Sequence, residues 1–342
     1  MIRTLPFSTI GFVLVCLSVL HTSSAAQKPS SRPELVADPS GKGVALARTP
    51  ESFSSLSLND SSLHASPPVS GGKAETKAFI RELLQVQWRA NDAIDLYVIR
   101  PRNATKPPVV LYLYGFPSDT DRFKDDRYCE RVTRGGAAAV GFVSAFTGQR
   151  TEHRSPNAWF VSELPEAVAS TVHDVQMILN YLNSRGDLDM GRVGMFGQGS
   201  GGAIAILAAA ADSRLKVVDL LDPWGDWPDW LAASQMVPGE ERPLYQKPDF
   251  LKRLEPLEPV RFLPQLKSRT LRIQFVDAYG EPKDAVHKIE VAAPAAATVR
   301  HYATDLDLRK ATADGGLFTW ISHELSPRQG ASQETKPGSK DR

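Results

Sequence analysis

The residues of this chain that could do chemistry are a hydroxyl on a glycine turn, an imidazole in a polar run and carboxylates set among tryptophans. Ser200 lies in Gly197-Gln198-Gly199-Ser200-Gly201-Gly202. The short apolar run before that turn reads as a buried strand, and Ala203-Ile204-Ala205-Ile206-Leu207 with the alanines after it reads as a helix packed on a sheet. His153 sits among Gln149, Arg150, Glu152 and Arg154, while Asp222 and Asp226 alternate with Trp224 and Trp227 in a segment that ends at Trp230. Serine, histidine and aspartate are the residue types of a nucleophile, a general base and an orienting acid. Brought together, they would serve acyl transfer.

The strand, turn and helix resemble the nucleophile elbow of the α/β-hydrolase superfamily, Gly-x-Ser-x-Gly, whose sharp turn needs small residues two positions either side of the nucleophile. Gly197 and Gly201 have that spacing, which puts Gly199, with no side chain, in the nucleophile's place. A second register centres the turn on Ser200 and flanks it with Gln198 and Gly202. Gln198 would then crowd the turn, so the Gly199 register is preferred. The passage from Thr171-Val172-His173-Asp174-Val175-Gln176 through Tyr181-Leu182 into Arg192-Val193-Gly194-Met195-Phe196-Gly197 resembles the dienelactone-hydrolase and acetyl-xylan-esterase-like branches, over about Phe79 to Leu325.

That resemblance implies an oxyanion hole built from the Ser200 and Phe116 amides, in which Tyr114-Gly115-Phe116 supplies the second donor because Pro117 has no N–H. It implies an acid after the strand Leu271 to Val276, where Asp277, Glu281 and Asp284 are available. It also implies a histidine after the last strand, yet Ala303 to Lys310 contains none. His301 and His323 precede and follow that loop in positions that suit structural roles, His173 suits capping or packing, and His287 suits a surface helix. His153, at the carboxyl end of its strand, is the candidate substitute base. Asp222 and Asp226, after the strand Lys216 to Leu221, are the leading candidate acids.

These residues need a framework of alternating elements. The sequence predicts a hairpin of Leu83 to Arg89 and Ala93 to Arg100, a strand Val109 to Tyr114, a helix around Asp121 to Arg134 and a strand Ala137 to Phe146. An amphipathic helix follows, in which Val168, Val172, Val175, Ile178 and Leu182 recur every three to four residues. After the elbow come strands Lys216 to Leu221, Leu271 to Val276 and Thr298 to Tyr302, and a helix near Leu317 to Glu324. Strands separated by helices imply an α/β fold with a mainly parallel central sheet covered on both faces. The segment of about 223–266 is an expected small Trp-rich cap, where Trp224 and Trp227 either line a ligand pocket or anchor the cap to the body.

Arg3, the apolar run Ile10 to Leu20 and Ser23-Ser24-Ala25-Ala26 have the form of a cleaved export signal over 1–26, which predicts a secreted or periplasmic protein with no other membrane attachment. Residues 27–78 read as a flexible arm, irregular or lying on the domain, 79–325 as the hydrolase domain and 326–342 as a disordered tail. Cleavage after Ala26 would leave Cys129 without a partner for an internal disulfide. A net charge of +1 gives no nucleic-acid footprint. No metal-ligand spacing or phosphate loop appears, so no cofactor is expected. Two functions follow. One is a non-catalytic protein that binds a small ester, carboxylate or carbohydrate, or a partner, around Gly199 to Gly201. The other is a carboxylic ester hydrolase in which Ser200 attacks, His153 is the base and Asp222 or Asp226 orients it.

Overall fold

The computed structural model describes residues 51–58, 63, 65–90, 92–116, 120–146, 150, 161–313 and 316–326, all within one compact unit, Val44–Arg342. The expected export signal, most of the arm, His153 and the tail beyond Ser326 lie outside the described residues.

Among the described residues nine strands form one sheet in the order β1-β2-β3-β5-β4-β6-β7-β8-β9. The first three are β1 (Val69–Glu75), β2 (Phe79–Arg89) and β3 (Asp92–Pro101), which run as an antiparallel meander. The parallel part holds β4 (Pro108–Leu113), β5 (Ala138–Phe142), β6 (Asp189–Gln198), β7 (Leu215–Leu221), β8 (Thr270–Val276) and β9 (Thr298–Tyr302). β3 joins the two parts by pairing antiparallel with β5.

Alternation along β4 shows why the sheet is buried on both faces. Val109, Leu111 and Leu113 enter one apolar cluster while Val110 and Tyr112 enter the other. The first cluster is covered by α2 (Leu164–Arg185) and α3 (Ser200–Ala211), and the second by α1 (Asp126–Thr133) and a C-terminal helix, Gly316–Glu324.

Two expectations are corrected. Val69–Glu75, read as the end of the flexible arm, is an edge strand held by backbone pairing to β2. Asp305–Ala311, read as loop, is a helix begun by a Thr304–Asp307 capping box. The helix expected over Asp121 to Arg134 is interrupted at Asp125, whose extended backbone lets its carboxylate accept from Arg127 N (2.7 Å) and Tyr128 N (3.1 Å) and so start α1. Cys129 is buried and unpaired. Among the described residues no helix is long and apolar enough to cross a membrane.

Candidate functional site

The site is built at the carboxyl ends of β4, β6, β7 and β8, where a parallel sheet leaves its strand ends open to a ligand. Gly199 stands at the apex of the turn between β6 and α3, with φ 54° and ψ −120°. Few side chains tolerate that backbone.

The glycines flanking Gly199 are tightly packed. A Cβ at Gly197 would lie 2.3 Å from Gly201 O, and one at Gly201 would lie 2.1 Å from Leu113 O, so both positions must be bare for α3 to sit on β4 and β6. A Cβ at Gly199 would instead meet Trp224 Nε1 at 3.4 Å and Gly115 Cα at 3.5 Å, which is ordinary contact. The turn is pinned by backbone, with Gly199 N donating to Leu221 O (3.0 Å) and Trp224 N donating to Gly199 O (3.1 Å).

Ser200 is the first residue of α3 and is buried. Its Oγ accepts from Phe116 N at 2.9 Å, so the hydroxyl occupies one of the two amides expected to form the oxyanion hole. The Ser200 amide lies in the first turn of α3, where no intrahelical acceptor exists. This pairing needs the loop after β4 to fold back onto α3, and no spacing in the sequence announces it.

Asp222 directly follows β7 in a left-handed backbone conformation (φ 45°). Its Oδ1 accepts from Val276 N at 2.8 Å, while Oδ2 is buried without a hydrogen-bond partner. Burial, reinforced by Glu281 and Asp277 and opposed by the Val276 amide, pushes its pKa up to about 7. Glu281, one of the acids after β8, accepts from the Trp224 indole (3.2 Å) and the Trp230 indole (3.1 Å), and burial raises it to about 7 as well. Asp226 is not at this edge of the chemistry. It ion-pairs with Lys288, which also meets Asp229 at 2.8 Å.

The tryptophans are anchors rather than an open platform, against the pocket reading. Trp224 and Trp230 pack with centroids 4.4 Å apart at a tilt of 36°, Trp227 meets Trp230 edge-on, and Trp227 Nε1 donates to Leu257 O at 2.7 Å. All three are at most 3% exposed. Trp227 borders a cap cavity of about 370 Å³ that Asp226, Leu251, Leu254, Glu258 and Arg261 also line.

Of the other histidines, His287 is exposed on a helix, as read. His301 stacks on Phe275 and pairs with Glu290 at 2.5 Å and Asp277 at 3.4 Å, an ionic arrangement that its place in a strand did not suggest. His173 is buried, with Nδ1 against the Glu51 carboxylate and Nε2 2.6 Å from Ser55 O, polar contacts beyond the capping or packing read from the sequence. No cluster of metal ligands occurs among the described residues.

Strand order, crossover pattern and the elbow's backbone at the end of β6 decide the fold. The chain is an α/β-hydrolase-fold protein. A model of the X-Pro dipeptidyl-peptidase (S15 family) matches residues 91–250. The solved structures similar to this hydrolase-fold protein include acetyl xylan esterase 1 from Thermoanaerobacterium sp. JW/SL YS485 (13% identity, TM-score 0.56, 76% of this chain and 89% of that one). An acetyl xylan esterase from Paenibacillus sp. R4 is similar at 16% identity and TM-score 0.57, over 78% and 90%. An S-formylglutathione hydrolase from Agrobacterium tumefaciens is similar at 14% identity and TM-score 0.57, over 75% and 99%. A search of curated proteins finds no match.

The raised Asp222 carboxyl makes a pH prediction. A folded value near 7 against an unfolded one near ~3.9 means that the native state holds a proton the unfolded chain gives up, so the contribution is complete below about pH 4 and is lost as pH rises to about 7. Asp222→Asn should therefore gain over the wild type at pH 8, by roughly 2–4 °C in melting temperature for each kcal/mol recovered, with no gain at pH 4. Thermal unfolding at the two pH values measures it. Equal differences at both would assign the proton elsewhere.

Proposed function

We propose that this hydrolase-fold protein is exported and does not hydrolyse carboxylic esters, and that it binds a small ester, carboxylate or carbohydrate, or a protein partner, at the edge of the sheet where the elbow lies. The observation that carries the reading is Gly199, which keeps the elbow's backbone without a nucleophilic atom. Ser200 does not replace it well, since its hydroxyl is buried on the Phe116 amide and is the donor site's occupant rather than an attacking group. Loss of a serine hydrolase's nucleophile costs roughly 10⁶ in kcat. The acyl group or ligand that a relative handles is a property of that relative.

The test is hydrolysis of p-nitrophenyl acetate and butyrate by the mature protein beside Ser200→Ala and His153→Ala. Wild type and both variants should release p-nitrophenol at the same slow rate. Turnover by the wild type that disappears in Ser200→Ala would overturn the reading and make Ser200 a displaced nucleophile.

A further inference from the structure

The cavity of about 370 Å³ in the cap has the size of a small-molecule site, for which about 300–1,000 Å³ is usual. Its walls are apolar, made by Trp227 and Pro228 of the helix Trp227–Ala233 and by Pro248, Leu251 and Leu254 of the helix Pro248–Leu254. A row of indoles stands between it and the elbow. Trp227 meets Trp230 edge-on, Trp230 packs on Trp224, and Trp224 Nε1 is the atom that a Cβ at Gly199 would meet first. Neither Trp224 nor Trp230 lines the cavity, so it is a place apart from the turn at Gly199. Water against walls of this kind has few groups to bond, and an apolar body displaces it favourably.

The charged groups that line it differ in how far the fold already uses them. Glu258 accepts from Asp226 N at 2.7 Å, Trp227 N at 2.8 Å and Val260 N at 3.2 Å, which occupies both of its oxygens. Asp226 pairs with Lys288. Glu255 takes Arg261 Nη1 on its carboxylate at 3.1 Å and on its carbonyl oxygen at 3.0 Å. All three lining carboxylates are therefore compensated within the protein. The two lining cations are not. Arg261 is engaged through Nη1 alone, which leaves its Nε–Nη2 edge with no protein partner among the described residues. That edge of a guanidinium receives a carboxylate in two parallel bonds. Lys252 is exposed at the rim, with no ion-pair or hydrogen-bond partner among the described residues.

We propose that this cavity is a second binding site, for a small monocarboxylate with an apolar body such as an aryl or branched alkyl chain. The hydrocarbon lies against Trp227, the two prolines and Leu251, and the carboxylate meets the unused edge of Arg261 and the charge of Lys252. An amine would find no acceptor here that the fold has left unused. A sugar would set its hydroxyls against proline, leucine and indole carbon and leave them unpaired. The site stands whether or not the elbow binds a ligand of its own.

Calorimetric titration of the full chain with 3-phenylpropionate at pH 7 tests this, with 3-phenylpropanamide as the same body without the charge and acetate as the charge without the body. The acid should bind with a dissociation constant of about 0.1–1 mM, in keeping with its size. The amide and acetate should each bind at least about tenfold more weakly. Lys252→Glu, a change at an exposed side chain that should leave the melting temperature as it is, should weaken the acid about tenfold, and Arg261→Gln should weaken it as well. In a spectrum of the tryptophan-labelled protein, one indole signal, that of Trp227, should move before the others. No saturable binding below about 20 mM acid, an amide that binds as tightly as the acid, or full affinity in Lys252→Glu would overturn the proposal, the last by placing the carboxylate elsewhere on the molecule.

Discussion

Asp174→Ala lowers the free energy of unfolding by about 3–5 kcal/mol, the range for removing one partner of a buried ion pair. Asp174 is wholly buried on α2, and its two oxygens serve three donors. Oδ1 accepts from the Trp88 indole at 2.9 Å and from Arg89, and Oδ2 accepts from Arg150 at 2.6 Å. Alanine would leave two guanidinium groups facing each other with only Asp92 and Glu51 to compensate, and an indole N–H with nothing to meet. Burial would raise the Asp174 carboxyl, but Arg150 and Arg89 outweigh it and hold the group below its ordinary range. The stabilisation is therefore present above about pH 4 and is lost as pH falls through the folded value. Denaturant unfolding at pH 7 should show the full deficit, and the two proteins should converge at strongly acidic pH. An unchanged midpoint at pH 7 would mean that the arginines find solvent instead.

Gly201→Ala should cost about 3 kcal/mol or more, although it replaces glycine by the best helix former inside a helix. Helix propensity favours the change by about 1 kcal/mol. The new Cβ, however, would sit 2.1 Å from Leu113 O and 2.8 Å from its carbonyl carbon, and backbone on a central strand cannot swing away as a flexible side chain can. α3 must lift from β4, which opens the elbow as well as the core. Gly239→Ala, where nothing lies within 4 Å of the added carbon, is the matched control and should stay within about 0.5 kcal/mol of wild type. Equal midpoints for the two variants in urea would show that α3 can shift freely.

The parts of this fold that could be read from the sequence are those with short-range causes. The 3.6-residue recurrence of Val168, Val172, Val175, Ile178 and Leu182 forecast α2, and the apolar runs forecast β4 and β6 to β8, because periodicity and burial are the same fact seen twice. The glycine-rich turn after β6 was legible for the same reason, since only a bare carbon fits at Gly197 and Gly201. Val69–Glu75 was not, because Ser70-Gly71-Gly72 has little strand preference and is extended only through its pairing with β2.

At the candidate site, Asp222 was singled out from its place after a strand, but the grip of Glu281 on two indoles joins segments far apart in the chain. The capture of the Phe116 amide by Ser200 likewise spans 84 residues. Neither leaves a local pattern. The clustering of Glu51, Arg89, Asp92, Arg150 and Asp174 is of the same kind, five charges that look like ordinary surface residues until the sheet and α2 close on them.

The backbone at Gly199 has a last consequence, for evolvability. Any residue with a Cβ held at φ 54° and ψ −120° stores conformational strain of about 1–3 kcal/mol, which an enzyme of this fold must carry at its nucleophile. Glycine adopts this backbone without that strain. The 3.4 Å clearance to Trp224 leaves room for the first atom of such a side chain. Placing a hydroxyl there would be limited less by space than by tolerance for strain.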